Sequence, residues 1–366
     1  MYKKLFIPGP THVRDEILQA QAEPMIGHRA KEYAALQAEV TPKLQKMLYT
    51  DQIVFLFASS STGVMEGAVR NLTARKALNT ICGEFGRRWH DITKANGIPC
   101  DVLEVEAGHG ITPELVDQAL ARGGYDAMTI VMNETSTGVM NPVGDIARLV
   151  YEKYPEVMVL VDAVSCMAGV KIEFDAWHLD VCLAGVQKCF ALPPGLTVCA
   201  VSQRALEKCA TVPNRGYYFD FVSNYKYYQK NQTPATPAIS LIQALNRQMD
   251  DILAEGLEER WQRHVDMAQV VREWANKYWA MFPEPDFYSN TLSCIKNTRG
   301  INVEEMNAEL GKRGAMISNG YGPFKEKTFR IAHMGDLTVE DMRWVTAQIG
   351  DITANLLGGS KRADAG

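Results

Sequence analysis

The sequence predicts an α/β protein with a mainly parallel central sheet in a large domain, followed by a smaller C-terminal α+β domain. Seven short apolar runs typical of strands recur between residues 53 and 201. Helical patterns separate most of these runs, and the runs are apolar throughout rather than alternating. Strands without a polar face are buried on both sides, which favours parallel strands covered by helices.

The individual elements follow in order along the chain. The predicted strands are IVFLF (53–57), NTIC (79–82), DVLEV (101–105), MTIVM (128–132), VMVLV (157–161), VCLAG (181–185) and LTVCAV (196–201). Predicted helices include GVMEGAVRNLTARKAL (63–78) and TPELVDQALARG (112–123), which opens on a favoured Thr-Pro-Glu start. Ligands of such sheets bind beyond the carboxyl ends of the strands.

A long helical pattern from about residue 238 to residue 282 is expected to pass from the large domain into the small one. The resulting division is an N-terminal arm (1–20), a large domain (21–260), a small domain (261–357) and a tail (358–366). The tail GGSKRADAG lacks apolar residues that could anchor it, so it is expected to be mobile.

Composition and charge narrow the class of protein. The 366 residues are 46% hydrophobic and 22% charged, as in a soluble enzyme-sized protein. A net charge of −5 without a basic cluster argues against a nucleic-acid partner. The start MYKKLFIPGP is too short in apolar residues for a signal peptide, and no run approaches the length of a membrane span. The eight cysteines lack CxxC spacing, so we expect reduced thiols, no metal site and a cytoplasmic location.

The segment FLFASSSTGVMEGAVRN runs from a predicted strand through Ser59–Gly63 into a predicted helix. Backbone N–H groups at a helix start favour an anion such as phosphate, and the hydroxyl groups add donors. Ordinary helix capping explains the same residues equally well. The segment has neither GxGxxG nor a GKS/T sequence, so a dinucleotide or ATP is not expected there.

Two chemically useful residues follow neighbouring predicted strands. Asp162 ends the apolar run VMVLVD, where a buried carboxylate requires a cation or a hydrogen-bond donor. Lys188 follows the next strand in GVQKC, where partial desolvation would lower the pKa of its amine and suit it to covalent chemistry with a carbonyl. Taken alone, Asp162 is more simply interpreted as a partner in a core hydrogen bond, and Lys188 as an ordinary solvated lysine.

Together, an anion-binding turn, an aspartate and a lysine form the set that pyridoxal 5′-phosphate requires. The turn would hold the phosphate, the lysine would bind the cofactor covalently, and the aspartate would keep the ring nitrogen protonated.

The chain resembles the class V, fold-type I aminotransferases of the alanine-glyoxylate and serine-pyruvate group, which use pyridoxal 5′-phosphate. The matching segments cover nearly the whole length: IPGPTHV (7–13), PMIGHR (24–29), NETSTGVMNPV (133–143), VDAVS (161–165), GVQK (185–188), PPG (193–195) and FRIAHMG (329–335). The resemblance implies that Lys188 binds the cofactor and that Asp162 holds its ring nitrogen. The other cofactor-binding residues that it implies are Ser61, Thr62, Phe85, Ser136, Val164, Gln187 and Thr236. Phe85 would stack on the ring, where relatives often have tryptophan.

The resemblance also implies a substrate site and a partner. Arg330 matches the arginine that binds the substrate α-carboxylate, and Gly9 lies in the matching N-terminal segment. The family forms homodimers, in which the segment TPATPAI (233–239) reaches the neighbouring phosphate site through Thr236, or through Thr233 if the alignment shifts. His28 and Arg29 either bind a second substrate anion or only support the N-terminal segment. Arg87 and Arg88 either add charge near the pocket or are solvated.

The implied reaction is amino transfer from a small amino acid, of alanine or serine type, to glyoxylate or pyruvate by a ping-pong mechanism. Cysteine desulfurases of this fold usually carry histidine before the lysine, whereas this chain has Gln187, which favours amino transfer. Cys189 lies in an apolar run and is interpreted as a core residue rather than a reactive thiol. A phosphoserine aminotransferase remains an alternative, since such enzymes carry a pair like His28 and Arg29 at the substrate phosphate, with a second histidine that His333 could match. An aminophosphonate transaminase, a desulfurase-like lyase and a cofactor-binding protein without turnover remain further alternatives.

Overall fold

The computed structural model describes residues 3–363, with side chains described up to residue 357. The expected tail at 358–366 therefore lies outside the part whose side chains are described. The strands are β1 Lys4–Leu5, β2 Ile53–Phe57, β3 Ala77–Ile81, β4 Cys100–Glu104, β5 Ala127–Val131, β6 Asn133–Glu134, β7 Val139–Met140, β8 Met158–Asp162, β9 Val181–Gly185, β10 Thr197–Val201, β11 Ala280–Met281, β12 Leu292–Lys296, β13 Ala315–Met316, β14 Ser318–Asn319 and β15 Thr328–Ala332.

The helices are α1 Asp15–Ala20, α2 Lys31–Met47, α3 Ser61–Leu72, α4 Glu84–Ala95, α5 Pro113–Leu120, α6 Val143–Lys153, α7 Gln203–Thr211, α8 Phe221–Tyr228, α9 Ile239–Glu255, α10 Leu257–Tyr278, α11 Val303–Lys312 and α12 Val339–Ala363. Among the described residues, none of these helices combines the length and the apolar character that a membrane crossing needs.

The large sheet has the strand order β2-β10-β9-β8-β5-β3-β4. Strand β10 pairs antiparallel with both of its neighbours, and the other pairs are parallel. The prediction of a mainly parallel sheet is thus confirmed, and each of the seven predicted strands coincides with one of these strands to within two residues at either end. Except in β4, every residue of these strands is buried, as apolar runs between two helical layers should be.

A second, four-stranded antiparallel sheet has the order β11-β12-β15-β14. Its buried side chains share an apolar core with helices α10, α11 and α12. The N-terminal strand β1 pairs in parallel with β13, so the first residues of the chain join this C-terminal part. The segment after β1 then crosses back toward the large sheet, where Thr11 N donates to Gln187 O at 3.0 Å.

Two helix predictions were wrong in extent. The pattern from 238 to 282 forms two helices, α9 and α10, because Gly256 takes φ +92°, a conformation that ends a helix and that other residues rarely adopt. The helix predicted over 63–78 ends at Leu72, since the apolar residues at 77 and 78 belong to β3. The start predicted for α5 is confirmed: the Thr112 side chain accepts from the Leu115 N–H, and Pro113 opens the helix.

Candidate active site

Lys188 lies shortly after the end of β9, on the loop beyond the carboxyl end of that strand. Its Nζ donates a hydrogen bond to the carbonyl of Pro8, in the N-terminal segment. Burial lowers the pKa of Lys188 to about 8, and the positive charge of Arg330 acts in the same direction. A fraction of the amine is therefore in its neutral, nucleophilic form near neutral pH, and this fraction grows as pH rises through about 8.

Gly9 packs directly against this lysine. A Cβ at this position would lie 2.6 Å from both Cε and Nζ of Lys188. Its φ of +90° also lies in the region that side chains rarely adopt. The absence of a side chain at Gly9 is thus what lets the N-terminal segment close over the amine.

Asp162 ends β8, the strand beside β9, and is only 3% exposed. Its carboxylate accepts from Val164 N at 2.9 Å and from the indole Nε1 of Trp89 at 3.3 Å. Burial raises the pKa of Asp162 to about 6, and the nearby carboxylate of Glu134 adds to the rise. No ion pair among the described residues includes Asp162. The site therefore holds a carboxylate that a positively charged ligand atom would stabilise.

The start of α3 contains an unsatisfied hydroxyl. Ser61 is buried, and its Oγ has no hydrogen-bond partner. A Cβ on Gly185 would lie 2.7 Å from Ser61 Oγ and 2.5 Å from Gln187 Oε1, so both side chains point over the same bare backbone. Thr62 follows as an exposed residue in the first turn. A helix N-terminus, a free hydroxyl and a side-chain amide form a cradle suited to a phosphate.

The buried carboxylate of Glu134 organises the other side of this region. It accepts from Phe85 N at 3.0 Å, from Gly86 N at 3.1 Å and from Ser136 Oγ at 2.6 Å. Ser136 Oγ in turn accepts from Glu84 N at 3.0 Å. The start of α4, which carries Phe85, is thereby fixed relative to Ser136.

Arg330 lies on β15 and is 7% exposed. Its Nε and Nη2 both donate to Asn319 O at 3.1 Å, and Nη1 donates to Thr135 O at 3.2 Å. Burial lowers its pKa from the usual value. No described ion pair includes Arg330, so the hydrogen-bond partners of this buried guanidinium are backbone carbonyls, and its charge lowers the pKa of Lys188. Such a group binds a planar carboxylate well.

Three expected site residues lie elsewhere in the single chain. Arg29 donates to the carbonyls of Thr233 at 2.5 Å and Pro234 at 3.0 Å. Thr236, in the same segment, is exposed, and His28 is partly exposed beside Arg29. Arg29 thus contacts the 233–239 segment, which contains Thr236. No described hydrogen bond or ion pair joins His28, Arg29 or Thr236 to Lys188.

His333 is a buried residue with two polar partners. It is fully buried, with Nδ1 3.0 Å from Asn290 O and Nε2 3.1 Å from Ser293 Oγ. Burial lowers the pKa of His333 to about 3, so it is neutral. His333 follows the end of β15, and its contacts with Asn290 and Ser293 do not favour a role as a second histidine beside Arg330.

Sequence reasoning did not single out Trp89, Glu134 or Tyr321. A signal existed for Glu134, an acid in the otherwise uncharged segment NETSTGVM. Trp89 and Tyr321 carry no local pattern that points to the site. Cys189 is fully buried, and burial raises the pKa of its thiol to about 12, as expected for a packing residue. The described residues contain no cluster of acids, histidines and cysteines that could hold a metal ion.

A family model and several known proteins that resemble the chain are all described as aminotransferases. The family model described as aminotransferase class-V matches residues 12–324. The chain is 38% identical over 342 residues to an uncharacterized aminotransferase of Methanocaldococcus jannaschii, covering 91% of this chain and 88% of that one. It is 32% identical over 345 residues to the L-aspartate–glyoxylate aminotransferase of Paracoccus denitrificans (91% and 87% covered). It is 31% identical over 349 residues to the serine–glyoxylate aminotransferase of Methylorubrum extorquens (91% and 86% covered).

A solved structure agrees with these relatives. The alanine–glyoxylate aminotransferase of a Nostoc species superposes with a TM-score of 0.90 at 25% sequence identity. The match covers 96% of this chain and 95% of that one.

Proposed function

The chain belongs to the class-V aminotransferases, and on that premise we propose that it transfers the amino group of a small amino acid, of alanine or serine type, to glyoxylate. It is an aminotransferase, and its family implies pyridoxal 5′-phosphate as the cofactor. The observation that carries the proposal is the buried guanidinium of Arg330, which lacks a counter-ion and lowers the pKa of Lys188. It offers a carboxylate site next to a nucleophilic amine, as amino transfer between amino and oxo acids requires.

The residues present fit the cofactor. The free hydroxyl of Ser61, the amide of Gln187 and the start of α3, including Thr62, would hold the phosphate. Asp162, fixed by Val164 N, would hold a proton on the ring nitrogen. Phe85 would cover one ring face, and Ser136 would lie near the ring oxygen. When bound, the cofactor supplies an aldehyde that accepts the amino group and a ring that withdraws electrons from the donor's α-carbon.

Lys188 would perform two tasks in this reaction. It would hold the cofactor covalently before substrate arrives, and once displaced its free Nζ would take the proton from the α-carbon of the donor. The lowered pKa of about 8 suits both tasks, since a permanently protonated amine could do neither. Arg330 would hold the α-carboxylate throughout and so orient that α-carbon toward the amine. Because the amino group passes to the enzyme before glyoxylate accepts it, the kinetics should be ping-pong.

The contacts of the described residues do not favour the phosphoserine or the desulfurase-like alternative. The phosphoserine alternative called on Arg29 for the substrate phosphate and on His333 as a second histidine. Arg29 instead donates to the carbonyls of Thr233 and Pro234, and His333 is buried and neutral. A desulfurase-like lyase needs a reactive thiol, whereas Cys189 is fully buried with a raised pKa.

We propose a homodimer with shared active sites. Thr236 is exposed in a segment that Arg29 holds by its backbone, so its side chain is free to meet a neighbouring subunit. Thr233 is less suited, because its Oγ1 donates to Ala235 O at 2.7 Å. In this proposal Arg29, His28 and Thr236 act at the subunit boundary.

The domain limits proposed from the sequence, a large domain at 21–260 and a small domain at 261–357, place Lys188 and Asp162 in the first and Arg330 in the second. With these limits, the substrate site takes residues from both domains, so its shape depends on how the two domains pack against each other. A cytoplasmic location is supported by the eight cysteines, none of which is paired.

Spectroscopic half-reactions test the function. We expect the purified protein to absorb in the visible, to lose that band with alanine or serine, and to regain it with glyoxylate. Single-turnover mixing with each donor and then each acceptor, followed by absorbance, measures this directly. Recovery with pyruvate or 2-oxoglutarate at least about tenfold faster than with glyoxylate would contradict the acceptor that we propose.

Replacing Gly9 tests the approach of the N-terminal segment to the amine. We expect Gly9→Ala to cost about 1–2 kcal/mol of unfolding free energy from its positive φ. Because its Cβ also displaces the Lys188 side chain, we expect the half-reaction rate to fall at least about tenfold. Stopped-flow absorbance and thermal denaturation measure the two effects.

The matched control is Gly97→Ala, which has φ +68° and no atom within 4 Å of the added Cβ. This variant should lose similar stability and keep the wild-type rate. Equal rates in both variants would show that the contact between Gly9 and Lys188 does not matter.

A further inference from the structure

Arg88 is a second guanidinium without a carboxylate partner beside the proposed site. It lies one helical turn after Phe85 on α4, and its Cζ is 4.6 Å from the centroid of the Phe85 ring. Its Nη2 is 3.4 Å from the hydroxyl oxygen of Tyr321. The described ion pairs do not include Arg88, whereas its neighbour Arg87 is exposed and pairs with Glu104. The charge of Arg88 therefore has no carboxylate partner among the described residues.

Tyr321 connects Arg88 to the arginine proposed to hold the α-carboxylate. The guanidinium carbon of Arg330 lies 5.4 Å from the centroid of the Tyr321 ring, while Arg88 reaches its hydroxyl. The Tyr321 ring also lies 5.7 Å from that of Phe85. Both arginines act in the same direction on Lys188, since each lowers the pKa of its amine. Two guanidinium groups without an ion-pair partner among the described residues thus lie along one aromatic side chain, and both act on the reacting amine.

We propose that Arg88 binds the side-chain carboxylate of a four-carbon dicarboxylic amino donor, so that the enzyme accepts aspartate as well as small monocarboxylic amino acids. The inference rests on the proposed function, because Arg330 would hold the α-carboxylate of the same donor. A planar guanidinium offers parallel N–H donors that match a carboxylate. Two unpaired cations favour a ligand with two negative charges, and a monocarboxylic donor would neutralise one of them.

A phosphorylated donor fits these residues less well. A phosphate dianion is ordinarily bound by several cations, and Arg29 and His333 do not add to Arg88 in this chain. Arg29 is committed to the carbonyls of Thr233 and Pro234, and His333 is buried and neutral.

Donor selectivity in the Arg88→Gln holoenzyme tests the inference. We expect kcat/KM for the aspartate half-reaction to fall about 100-fold, because a charged hydrogen-bonding partner is lost, and that for alanine to change less than about threefold. Arg88→Lys keeps the charge without the planar fork and should restore aspartate to within about tenfold of wild type. Arg87→Gln is the matched control and should leave both donors unchanged.

A binding measurement supplies a readout besides turnover. Succinate, a four-carbon dicarboxylate without an amino group, should compete with the donor in the wild type at least about tenfold better than acetate. We expect Arg88→Gln to remove this preference while its affinity for acetate stays the same. Competition can be followed through the absorbance of the holoenzyme.

The outcomes separate this inference from the function on which it rests. Equal losses for aspartate and alanine in Arg88→Gln would assign Arg88 a structural role and overturn the inference. So would a wild type that reacts with alanine or serine but not with aspartate, and in that case the proposed function stands. Phosphoserine reacting faster than aspartate would identify a phosphate subsite and also overturn it. No reaction with any donor would overturn the proposed function itself.

Discussion

Lys188→Ala should eliminate amino transfer, with a loss of at least about 1,000-fold in the half-reaction rate. The variant loses both the covalent anchor for the cofactor and the base that moves the α-proton, and general acid–base catalysis alone typically contributes 10²–10⁴-fold. Single-turnover absorbance with alanine measures the rate. Mass spectrometry after borohydride reduction should find the cofactor attached to the wild type and not to the variant.

The variant should remain folded, because it removes a buried amine whose charged form is destabilised by burial. Lys171→Ala is the control: this partly exposed lysine lies 3.4 Å from Glu173 in a surface ion pair, and its loss should change neither rate nor attachment. A Lys188→Ala protein that still binds the cofactor covalently would assign the anchor to another residue.

The pKa of Lys188 also sets a pH dependence. Because the folded-state pKa is lowered to about 8, the amine is mostly protonated below pH 8 and mostly neutral above it. Cofactor uptake by cofactor-free protein should therefore accelerate as pH rises through about 8 and then level off. Stopped-flow absorbance across that range tests the expectation, and an uptake rate independent of pH would contradict it.

The two residues at the strand ends could be predicted from the sequence alone, and the reason is geometric. Lys188 and Asp162 each follow an apolar run, and the carboxyl ends of neighbouring parallel strands meet at one sheet edge. The serine-rich turn joins them for the same reason, since β2 runs parallel to β8 and β9. The sequence pattern therefore predicted that Lys188, Asp162 and the serine-rich turn lie at the same edge of the sheet.

Other parts of the site depend on contacts between distant segments. Trp89 and Asp162 are 73 positions apart, and Tyr321 and Arg88 are 233 apart, so no local period or spacing connects them. The substrate-site roles of Arg330 and Gly9 were predicted only from family resemblance, and the contact between Gly9 and Lys188 was not predicted at all. The break at Gly256 was missed because the helical pattern of apolar residues continues on both sides of it.

Asp162→Asn should lower the half-reaction rate at least about 100-fold and weaken cofactor binding. An amide cannot balance a positive charge on the ring nitrogen, and removing one partner of a buried charge pair typically costs about 3–5 kcal/mol. The asparagine Oδ1 can still accept from Val164 N–H, and only the longer contact from the Trp89 indole is lost, so the fold should persist. Absorbance titration with cofactor and single-turnover mixing measure the two losses, and Asp101→Asn, at a partly exposed position, is the control.

The same substitution should have the opposite effect on the stability of the cofactor-free protein. The folded-state pKa of Asp162 is raised to about 6, so between roughly pH 4 and 6 the folded chain keeps a proton that the unfolded chain has released. This contribution to stability is lost as pH rises, and at pH 7 an ionised, unpaired carboxylate remains buried. Asp162→Asn should therefore stabilise the cofactor-free protein at pH 7 by about 2 kcal/mol, and less at pH 5. Chemical denaturation at both pH values measures the difference. An unchanged or lower stability at pH 7 would mean that the carboxylate already has a compensating partner, and Asp162 would then not be held in readiness for a cationic ring.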